Sequence, residues 1–282
     1  MATFTNKATL TYNGRSVDSN IVTGTVNEAL TVIKSALDET YAEGTRLTYV
    51  VSLINSGVTS FVGLSLTDDL GGYEISAGNT VYPLSYVPDS VAYFVNGEPQ
   101  EAPAVTTDPT LVITGINVPA GGNALIIYQA DVTDFAPLEV DGTITNTATV
   151  LGLAEDVSDS ATVSTLNEPN LSITKSLDPL VVGADGAITY TFDIQNTGNT
   201  AAVATDDVVV TDVFDPVLDI TSVTLNGTPL TLGEDYTYDE ATGEFATVAG
   251  VITVPAAEYV RETDGSLTII PGSATLVVNG TI

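Results

Sequence analysis

The sequence has no cysteine, no histidine and no tryptophan among its 282 residues. Without cysteine the chain cannot form disulfides, and without cysteine and histidine it lacks the usual nucleophiles, bases and metal ligands. Histidine-dependent catalytic triads are therefore excluded. Paired carboxylates alone can hydrolyse glycosides, but the missing tryptophan removes the best aromatic platform for a sugar. We expect no enzyme that turns over a substrate and no cofactor. No residues are assigned to a metal site, because the sequence has no calcium-binding loop with alternating ligands and the required glycine, although the acidic chain leaves binding of divalent cations open.

Positive charge is also scarce, since six lysines and arginines face 36 acidic residues and give a formal net charge of −30. Nucleic acid and anionic membrane surfaces are excluded as partners, because binding them requires clustered cations. Copies of this chain repel one another, so any polymer must be held by burial, backbone pairing or covalent bonds. No apolar run is long enough to span a bilayer. The first ten residues do not have the pattern of a secretory signal.

Threonine, valine, isoleucine and alanine dominate the chain, hydrophobic residues make up 44% of it, and glycine and proline recur at short intervals. No long stretch repeats apolar residues at helical spacing. This composition is typical of an all-β protein with many short strands. We predict two tandem immunoglobulin-like β-sandwich domains.

An internal repeat supports two domains. The stretch Leu30–Ser35 (LTVIKS) is matched by Leu171–Ser176 (LSITKS). Further matches follow in the same order: Leu47–Tyr49 with Ile188–Tyr190, Asn55–Gly57 with Asn196–Gly198, Leu64–Leu70 with Val208–Phe214, Phe94–Pro99 with Thr224–Pro229, and Gly122–Val132 with Gly272–Ile282. The Asn-Gly pairs predict tight hairpins.

The first segment, Thr3–Glu28, is matched without a gap by Thr143–Glu168, which closes the first repeat. The second repeat stops at Ile282, before any such segment. We therefore predict a donor strand segment at 1–26, a complete sandwich at 27–166 and a sandwich lacking its last strand segment at 167–282. A strand left over at one end and an edge left open at the other predict head-to-tail strand addition between copies. Alternatively, the first segment folds back onto its own chain.

The order of these motifs (LTVIKS or LSITKS, LTY or ITY, NSG or NTG, TD, TNTA) resembles the bacterial surface-protein repeat called domain of unknown function eleven. The resemblance implies an immunoglobulin-like fold that occurs in tandem in cell-surface proteins. With the leftover first segment, the chain resembles subunits of surface or endospore appendages. The implied location is extracellular, on a cell or spore surface.

Strand alternation places three polar residues of each repeat among apolar ones. The first set is Lys34, Asp68 and Asn146, and the second is Lys175, Asp212 and, through the first segment, Asn6. Burying such groups costs several kcal/mol each unless they satisfy one another. The adjacent acids Asp69 and Asp215 are predicted to be solvated.

These sets are similar to those of self-crosslinking surface domains, in which a lysine and an asparagine form an isopeptide bond. Burial lowers the pKa of a lysine and raises that of a carboxyl group, so a neutral amine attacks the amide while the acid relays protons. Lys34 and Asn146 would join within one chain with Asp68 as the relay, and Lys175 and Asn6 between copies with Asp212. The alternative is an ion pair without a bond.

We therefore interpret the chain as the subunit of an extracellular filament, polymerising head to tail with copies of itself. The alternative is a surface adhesin, or ligand-binding module, with variable loops. The fold alone does not decide between these two functions.

Overall fold

The computed structural model describes residues 2–26, 30–153, 155–183 and 186–282. The predicted all-β fold is confirmed: the described residues form 28 strands and one short 3-10 helix, Ala204–Asp206. No helix in these ranges is long and apolar enough to cross a membrane. The chain divides into two compact units, Met1–Pro137 with Thr143–Thr165 (unit 1) and Leu138–Gly142 with Leu166–Ile282 (unit 2).

The N-terminal hairpin comprises the first four strands: β1 Ala2–Asn6, β2 Thr9–Tyr12, β3 Arg15–Asp18 and β4 Val22–Val26. Strand β1 pairs with β4 and β2 with β3, and in the described part of the chain these strands join no larger sheet. The segment predicted to donate a strand is thus an antiparallel hairpin, in which β1 and β2 pair with β4 and β3. Asn13 and Gly14, both at positive φ, form the two-residue turn between β2 and β3, a turn that favours these residue types.

Unit 1 continues with fourteen strands: β5 Leu30–Ala36, β6 Thr40–Tyr41, β7 Arg46–Asn55, β8 Phe61–Asp68, β9 Tyr73–Ser76, β10 Asn79–Val81, β11 Leu84–Tyr86, β12 Ala92–Val95, β13 Glu98–Gln100, β14 Ala104–Thr107, β15 Leu111–Val118, β16 Asn123–Val132, β17 Thr143–Leu151 and β18 Val157–Thr165. They form two six-stranded sheets and a small β9–β10 ribbon. The first sheet has the order β13-β12-β16-β7-β5, with β11 also on β16, and the second has the order β14-β15-β8-β17-β18-β6.

The core of unit 1 lies between these sheets. Burial alternates along β5, β7, β16 and β17, as expected when one face of each strand meets the opposite sheet. The Tyr93 hydroxyl on β12 donates to the Asn117 carbonyl on β15 at 2.9 Å, which links the two sheets. Unit 1 is therefore a two-layer β-sandwich.

Unit 2 contains ten strands: β19 Leu171–Asp178, β20 Ala187–Asn196, β21 Thr211–Val213, β22 Asp219–Leu225, β23 Thr228–Pro229, β24 Tyr236–Asp239, β25 Glu244–Thr247, β26 Glu258–Arg261, β27 Leu267–Ile270 and β28 Gly272–Thr281. The first sheet, β19-β20-β28-β22-β23, repeats the strand order β5-β7-β16-β12-β13 of unit 1. The second, β24-β25-β21, repeats only β14-β15-β8. In the described residues nothing pairs with β21 where β17 pairs with β8.

The predicted Asn-Gly hairpins are present in both units. Asn96 and Gly97 turn between β12 and β13, and Asn226 and Gly227 turn between β22 and β23, all four at positive φ. These turns have the geometry that favours asparagine followed by glycine. The repeat in the sequence therefore corresponds to a repeat in local structure.

Candidate functional site

In unit 1, the structure brings together Lys34 and Asp68 from opposite sheets. The Lys34 ammonium on β5 lies 2.5 Å from Asp68 Oδ2 on β8, and both side chains are fully buried. The second carboxylate oxygen of Asp68 accepts the Leu70 backbone N–H at 3.1 Å. Such a pair is stable in the interior only when its remaining hydrogen-bonding capacity is met.

Asn146 joins this pair through Tyr128, a residue on β16. The Tyr128 hydroxyl donates to Asp68 Oδ2 and accepts a hydrogen bond from Asn146 Nδ2 at 3.1 Å. The carbonyl oxygen of Asn146 is buried and has no hydrogen-bond partner among the described residues. Lysine amine, carboxylate, phenol and carboxamide therefore form one continuous cluster.

Burial controls the titration of this cluster. Removal from water lowers the pKa of Lys34, against the opposing effect of the Asp68 charge. Burial, reinforced by the charge of Asp68, raises the pKa of Tyr128 well above its ordinary value and raises that of Tyr49 as well. Both phenols therefore remain protonated, while the amine is more readily neutral than that of an exposed lysine.

Asp69 corrects one expectation from strand alternation. Its side chain is not simply solvated: Oδ1 accepts the backbone N–H groups of Gly71 at 2.9 Å and Thr147 at 2.8 Å. Asp69 thus ties the end of β8 to β17, at the strand that carries Asn146. Asp215 is exposed, as predicted.

In unit 2, the Lys175 ammonium forms an ion pair with Asp212, as Lys34 does with Asp68, but 41% of the Lys175 side chain is exposed. The ammonium lies over the rings of Tyr190, Phe192 and Phe214, at 4.6, 5.4 and 5.4 Å from their centroids. Cations are attracted to such rings. Lys175 and Asp212 are therefore already paired, and in the described part of the chain no asparagine hydrogen-bonds to either of them.

The two clusters also differ in their phenol. Tyr128 pairs with Tyr49 across β16 and β7, while the corresponding pair in unit 2 is Val278 with Tyr190. Val278 is fully buried. Unit 2 therefore keeps the counterpart of Tyr49 but has an aliphatic residue in place of Tyr128.

The inner face of β19 is uncovered. Leu171 and Ile173 are 36% and 53% exposed, whereas their counterparts on β5, Leu30 and Val32, are only 4% and 6% exposed. In unit 1 this face is covered by the β17–β18 hairpin, and Asp159 of β18 accepts the Lys34 backbone N–H at 2.8 Å. We call the exposed inner face of β19, together with the unpaired edge of β21, the open groove.

The N-terminal hairpin has apolar side chains to match. Within β2–β3, Leu10 faces Val17 on one side, while on the other Thr9 bonds Asp18 at 2.7 Å. Every side chain described from position 4 to position 23 is exposed, including those of Phe4, Leu10, Tyr12, Val17, Ile21 and Val22. An isolated two-stranded hairpin is only marginally stable in water, so this apolar side is suited to burial against another surface.

Pairing in the hairpin copies that of β17–β18. The partners Thr9–Asp18 and Leu10–Val17 correspond, 140 residues on, to Thr149–Ser158 and Val150–Val157. In β1–β4 the register is shifted by one residue, so that Phe4 faces Gly24. A Cβ at Gly24 would lie 2.4 Å from the tip of the Phe4 ring, so a larger residue at this position would require that exposed ring to move.

Asn6, the predicted third member of the second cluster, lies on β1 opposite Val22 and is exposed. No described hydrogen bond joins it to Lys175 or Asp212. The structure thus brings together the predicted set of unit 1 and the lysine–acid pair of unit 2, and leaves Asn6 on a separate, exposed element.

Sequence reasoning did not single out Tyr128 or Tyr49. Their rings stack with centroids 5.6 Å apart, and the Lys34 ammonium lies 4.9 Å from the Tyr49 centroid. The available signal was strand alternation: Tyr128 shares its face of β16 with the buried residues Ala124 and Ile126. A tyrosine hydroxyl at a core position needs a polar partner.

No family model and no curated protein matches the sequence, so the resemblance to the surface-protein repeat stays a prediction. Solved structures are similar at low identity. The major pilin subunit BcpA of Bacillus cereus is 12% identical, with 96% of this chain and 73% of that chain covered and a TM-score of 0.37. The pilus backbone RrgB of Streptococcus pneumoniae is 13% identical, with 86% and 55% covered and a TM-score of 0.35.

The collagen-binding subdomain of the Enterococcus faecalis surface protein ACE is 9% identical, with 48% of this chain and 96% of that chain covered and a TM-score of 0.33. Likenesses of this strength do not bear on function.

Proposed function

We propose that this chain is a structural subunit of an extracellular filament and polymerises head to tail with copies of itself. The N-terminal hairpin of one subunit fills the open groove of unit 2 in the next. The single observation that carries the proposal is the exposed inner face of β19, whose counterpart in unit 1 is buried by a hairpin of matching sequence and pairing.

The contacts of β17 in unit 1 define how the hairpin would seat. Ala148 and Thr149 of β17 lie opposite Asp68 and Thr67 of β8. Shifted by the repeat, Ala8 and Thr9 of one subunit would lie opposite Asp212 and Thr211 of the next. This is strand addition at a sheet edge: backbone hydrogen bonds supply affinity, and the buried side chains supply specificity.

Seating in this register would bring Asn6 to the Lys175–Asp212 pair, as Asn146 is joined to the Lys34–Asp68 pair. We propose isopeptide bonds at both places, between Lys34 and Asn146 within each subunit and between Lys175 and Asn6 across subunits. The buried amine of Lys34, with its lowered pKa, supports nucleophilic attack on the carboxamide. An ion pair without a bond is the alternative.

A filament also needs a direction of growth and a location. Donor and acceptor lie on different elements of one chain, so the contact is heterologous and produces an open fibre unless the geometry closes a ring. We place the filament on a cell or spore surface because the repeat motifs resemble those of surface proteins. The charge of −30 per chain opposes assembly, and salt should promote it by screening.

Removing residues 1–26 tests the proposal. In about 0.15 M salt, where screening is substantial, the full chain should form filaments visible by electron microscopy. The truncated chain should stay monomeric with unit 1 folded, because it retains an acceptor without a donor. Filaments of the truncated chain, or monomers of the full chain at every salt concentration, would contradict hairpin donation.

Chains with the hairpin intact provide a matched control. Thr9→Ala and Thr11→Ala alter the polar side of β2. On this side Thr9 is hydrogen-bonded to Asp18, and Thr11 to Ser16. Both variants should still assemble, because this side does not enter the groove. Loss of assembly in both would mean that the hairpin acts through its polar side, contrary to the proposal.

A further inference from the structure

We propose that Tyr128 is the catalytic proton relay of the unit 1 crosslink, carrying a proton from Asp68 to the nitrogen that leaves Asn146. The inference rests on the proposed bond between Lys34 and Asn146. It assigns a chemical role to a residue that links the acid to the carboxamide.

Tyr128 lies between the acid and the carboxamide. Tyr128 is the described group that hydrogen-bonds both to Asp68 and to the Asn146 side chain, and its contact with Asn146 is to the nitrogen, not the oxygen. That nitrogen departs when the isopeptide bond forms. Asp68 Oδ2 in turn accepts from Lys34 at 2.5 Å. A path for a proton therefore runs from the attacking nitrogen to the leaving nitrogen through Asp68 and Tyr128.

The reaction balances along this path. Within the ion pair one proton moves from Lys34 to Asp68, which leaves a neutral amine and a carboxylic acid. The amine nitrogen then forms a bond to Cγ of Asn146. In the tetrahedral intermediate Asp68 passes its proton to Tyr128 as Tyr128 passes its own to Nδ2, and Asp68 recovers a proton from the attacking nitrogen. The Cγ–Nδ2 bond breaks, ammonia leaves, and an amide remains.

Tyr128 suits a concerted relay. A phenol with a raised pKa does not ionise at neutral pH, so it transfers a proton only by receiving another at the same time. The unpartnered carbonyl oxygen of Asn146 remains available to accept a hydrogen bond as negative charge develops on it. The proton relay through Tyr128 thus acts on the leaving nitrogen and leaves the carbonyl oxygen free.

Neighbouring Tyr49 provides a matched comparison. Tyr49 stacks on Tyr128 and is also fully buried, but no hydrogen bond joins its hydroxyl to Asp68. Tyr49→Phe therefore removes a hydroxyl from the same core and leaves the Asp68–Tyr128–Asn146 hydrogen bonds in place.

The experiment follows bond formation in the full chain after cell-free synthesis, by denaturing intact-mass measurement at successive times. Each crosslink within a chain makes it lighter by one ammonia. Asn6→Ala is included throughout, so that only the unit 1 bond is counted. Tyr128→Phe should slow the loss of ammonia about 100-fold, the scale of general acid–base catalysis. Tyr49→Phe should leave the rate unchanged.

Solvent isotope effects separate chemistry from packing. The wild-type rate should fall in deuterium oxide, and Tyr128→Phe should change that isotope effect, which a purely structural role would not do. If Tyr128→Phe does not fold, Tyr128→His supplies another proton carrier and should react at a measurable rate. Equal rates for Tyr128→Phe and wild type, an unchanged isotope effect, or an unreactive Tyr128→His that folds would overturn the relay alone. A wild-type chain that never loses ammonia would overturn the crosslink as well.

Discussion

Strands β5 and β19 have nearly the same sequence and the same neighbours in their own sheets, yet one is buried and the other is exposed. LTVIKS and LSITKS both begin a sheet of the same strand order. The difference lies in a distant hairpin: β17–β18 covers β5, and no described strand covers β19. Burial of this strand therefore depends on an added hairpin, which unit 1 contains and which the described part of unit 2 lacks.

The largest effect should come from placing a charge on the compared faces. Val32→Asp should unfold unit 1, since an unpaired carboxylate in the interior costs several kcal/mol. Ile173→Asp should leave the monomer folded, because the site is exposed, but should abolish filaments. Circular dichroism would measure the unfolding, and electron microscopy would show the loss of filaments.

Thr174→Asp is the matched control, because Thr174 neighbours Ile173 on the opposite side of β19. It should assemble normally. Filaments formed by Ile173→Asp at the wild-type concentration would show that β19 is not an interface.

The lysines should differ in the same way. Lys34→Met removes the crosslink together with the buried partner of Asp68. It should destabilise unit 1 by about 3–5 kcal/mol or more, since breaking a buried ion pair alone costs that much. Lys175→Met should cost far less in the monomer, since its pair is partly exposed. It should instead make filaments that dissociate to monomers in boiling detergent.

Thermal unfolding and denaturing gels distinguish these outcomes. Lys7→Met is the control for charge on the hairpin, because Lys7 pairs with Asp18 at the surface, 2.6 Å away. It should keep detergent-resistant filaments. A detergent-resistant ladder from Lys175→Met would exclude this lysine as the crosslink.

The hairpin should contribute through its apolar side. Leu10 corresponds to Val150, which is fully buried in unit 1. Leu10→Ala should weaken docking by about 2 kcal/mol, which is roughly 30-fold in affinity. This is the lower end of the range for Leu→Ala substitutions in protein cores, because an interface buries the side chain less completely than a core does. The critical concentration for assembly, from sedimentation, should rise by that factor while monomer stability is unchanged. An unaltered critical concentration would place Leu10 outside the interface.

The smallest effect concerns pH. Asn146→Ala cannot form the unit 1 bond, so Lys34 keeps a titratable amine whose folded pKa is lowered by burial. The unfolded chain then binds more protons between that lowered pKa and about 10.4, and the free energy of unfolding should rise with pH there, by at most about 1.4 kcal/mol per pH unit. The crosslinked wild type should lack this slope, because an amide does not titrate. Denaturant unfolding at several pH values measures both proteins. The same pH dependence of the free energy of unfolding in the wild type and in Asn146→Ala would argue that no bond forms.

Much of the fold follows from local pattern, and much of the site does not. Alternation along LTVIKS places Lys34 with Leu30 and Val32 on one face, and the structure confirms it. The same alternation along LSITKS cannot reveal that Lys175 is exposed, because the covering element is remote in sequence. The Asn-Gly turns are predictable because their backbone conformation favours those two residues.

Other features depend on contacts between strands. In the shifted register of β1–β4 the Phe4 ring lies against Gly24. The aligned repeat does not predict this pairing, because Ser164 stands at the position that corresponds to Gly24. Tyr128 is recognisable as a core tyrosine, but its choice of Asp68 and Asn146 as partners depends on how the two sheets face each other. The sequence pattern predicts which face of a strand a residue lies on, but not which residues of the opposite sheet it contacts.

A cysteine pair tests hairpin donation most directly, because the chain has no cysteine of its own. Thr149 faces Thr67 in unit 1, so Thr9→Cys should face Thr211→Cys of the next subunit, with Cα atoms about 4.5–5.5 Å apart, within disulfide range. In a Lys175→Met background, oxidation should give a ladder of multimers that a reductant collapses. Thr9→Cys combined with Thr174→Cys should give none, because Thr174 lies on β19, in the other sheet of unit 2. Monomers alone after oxidation, or a disulfide closed within one chain, would contradict the account.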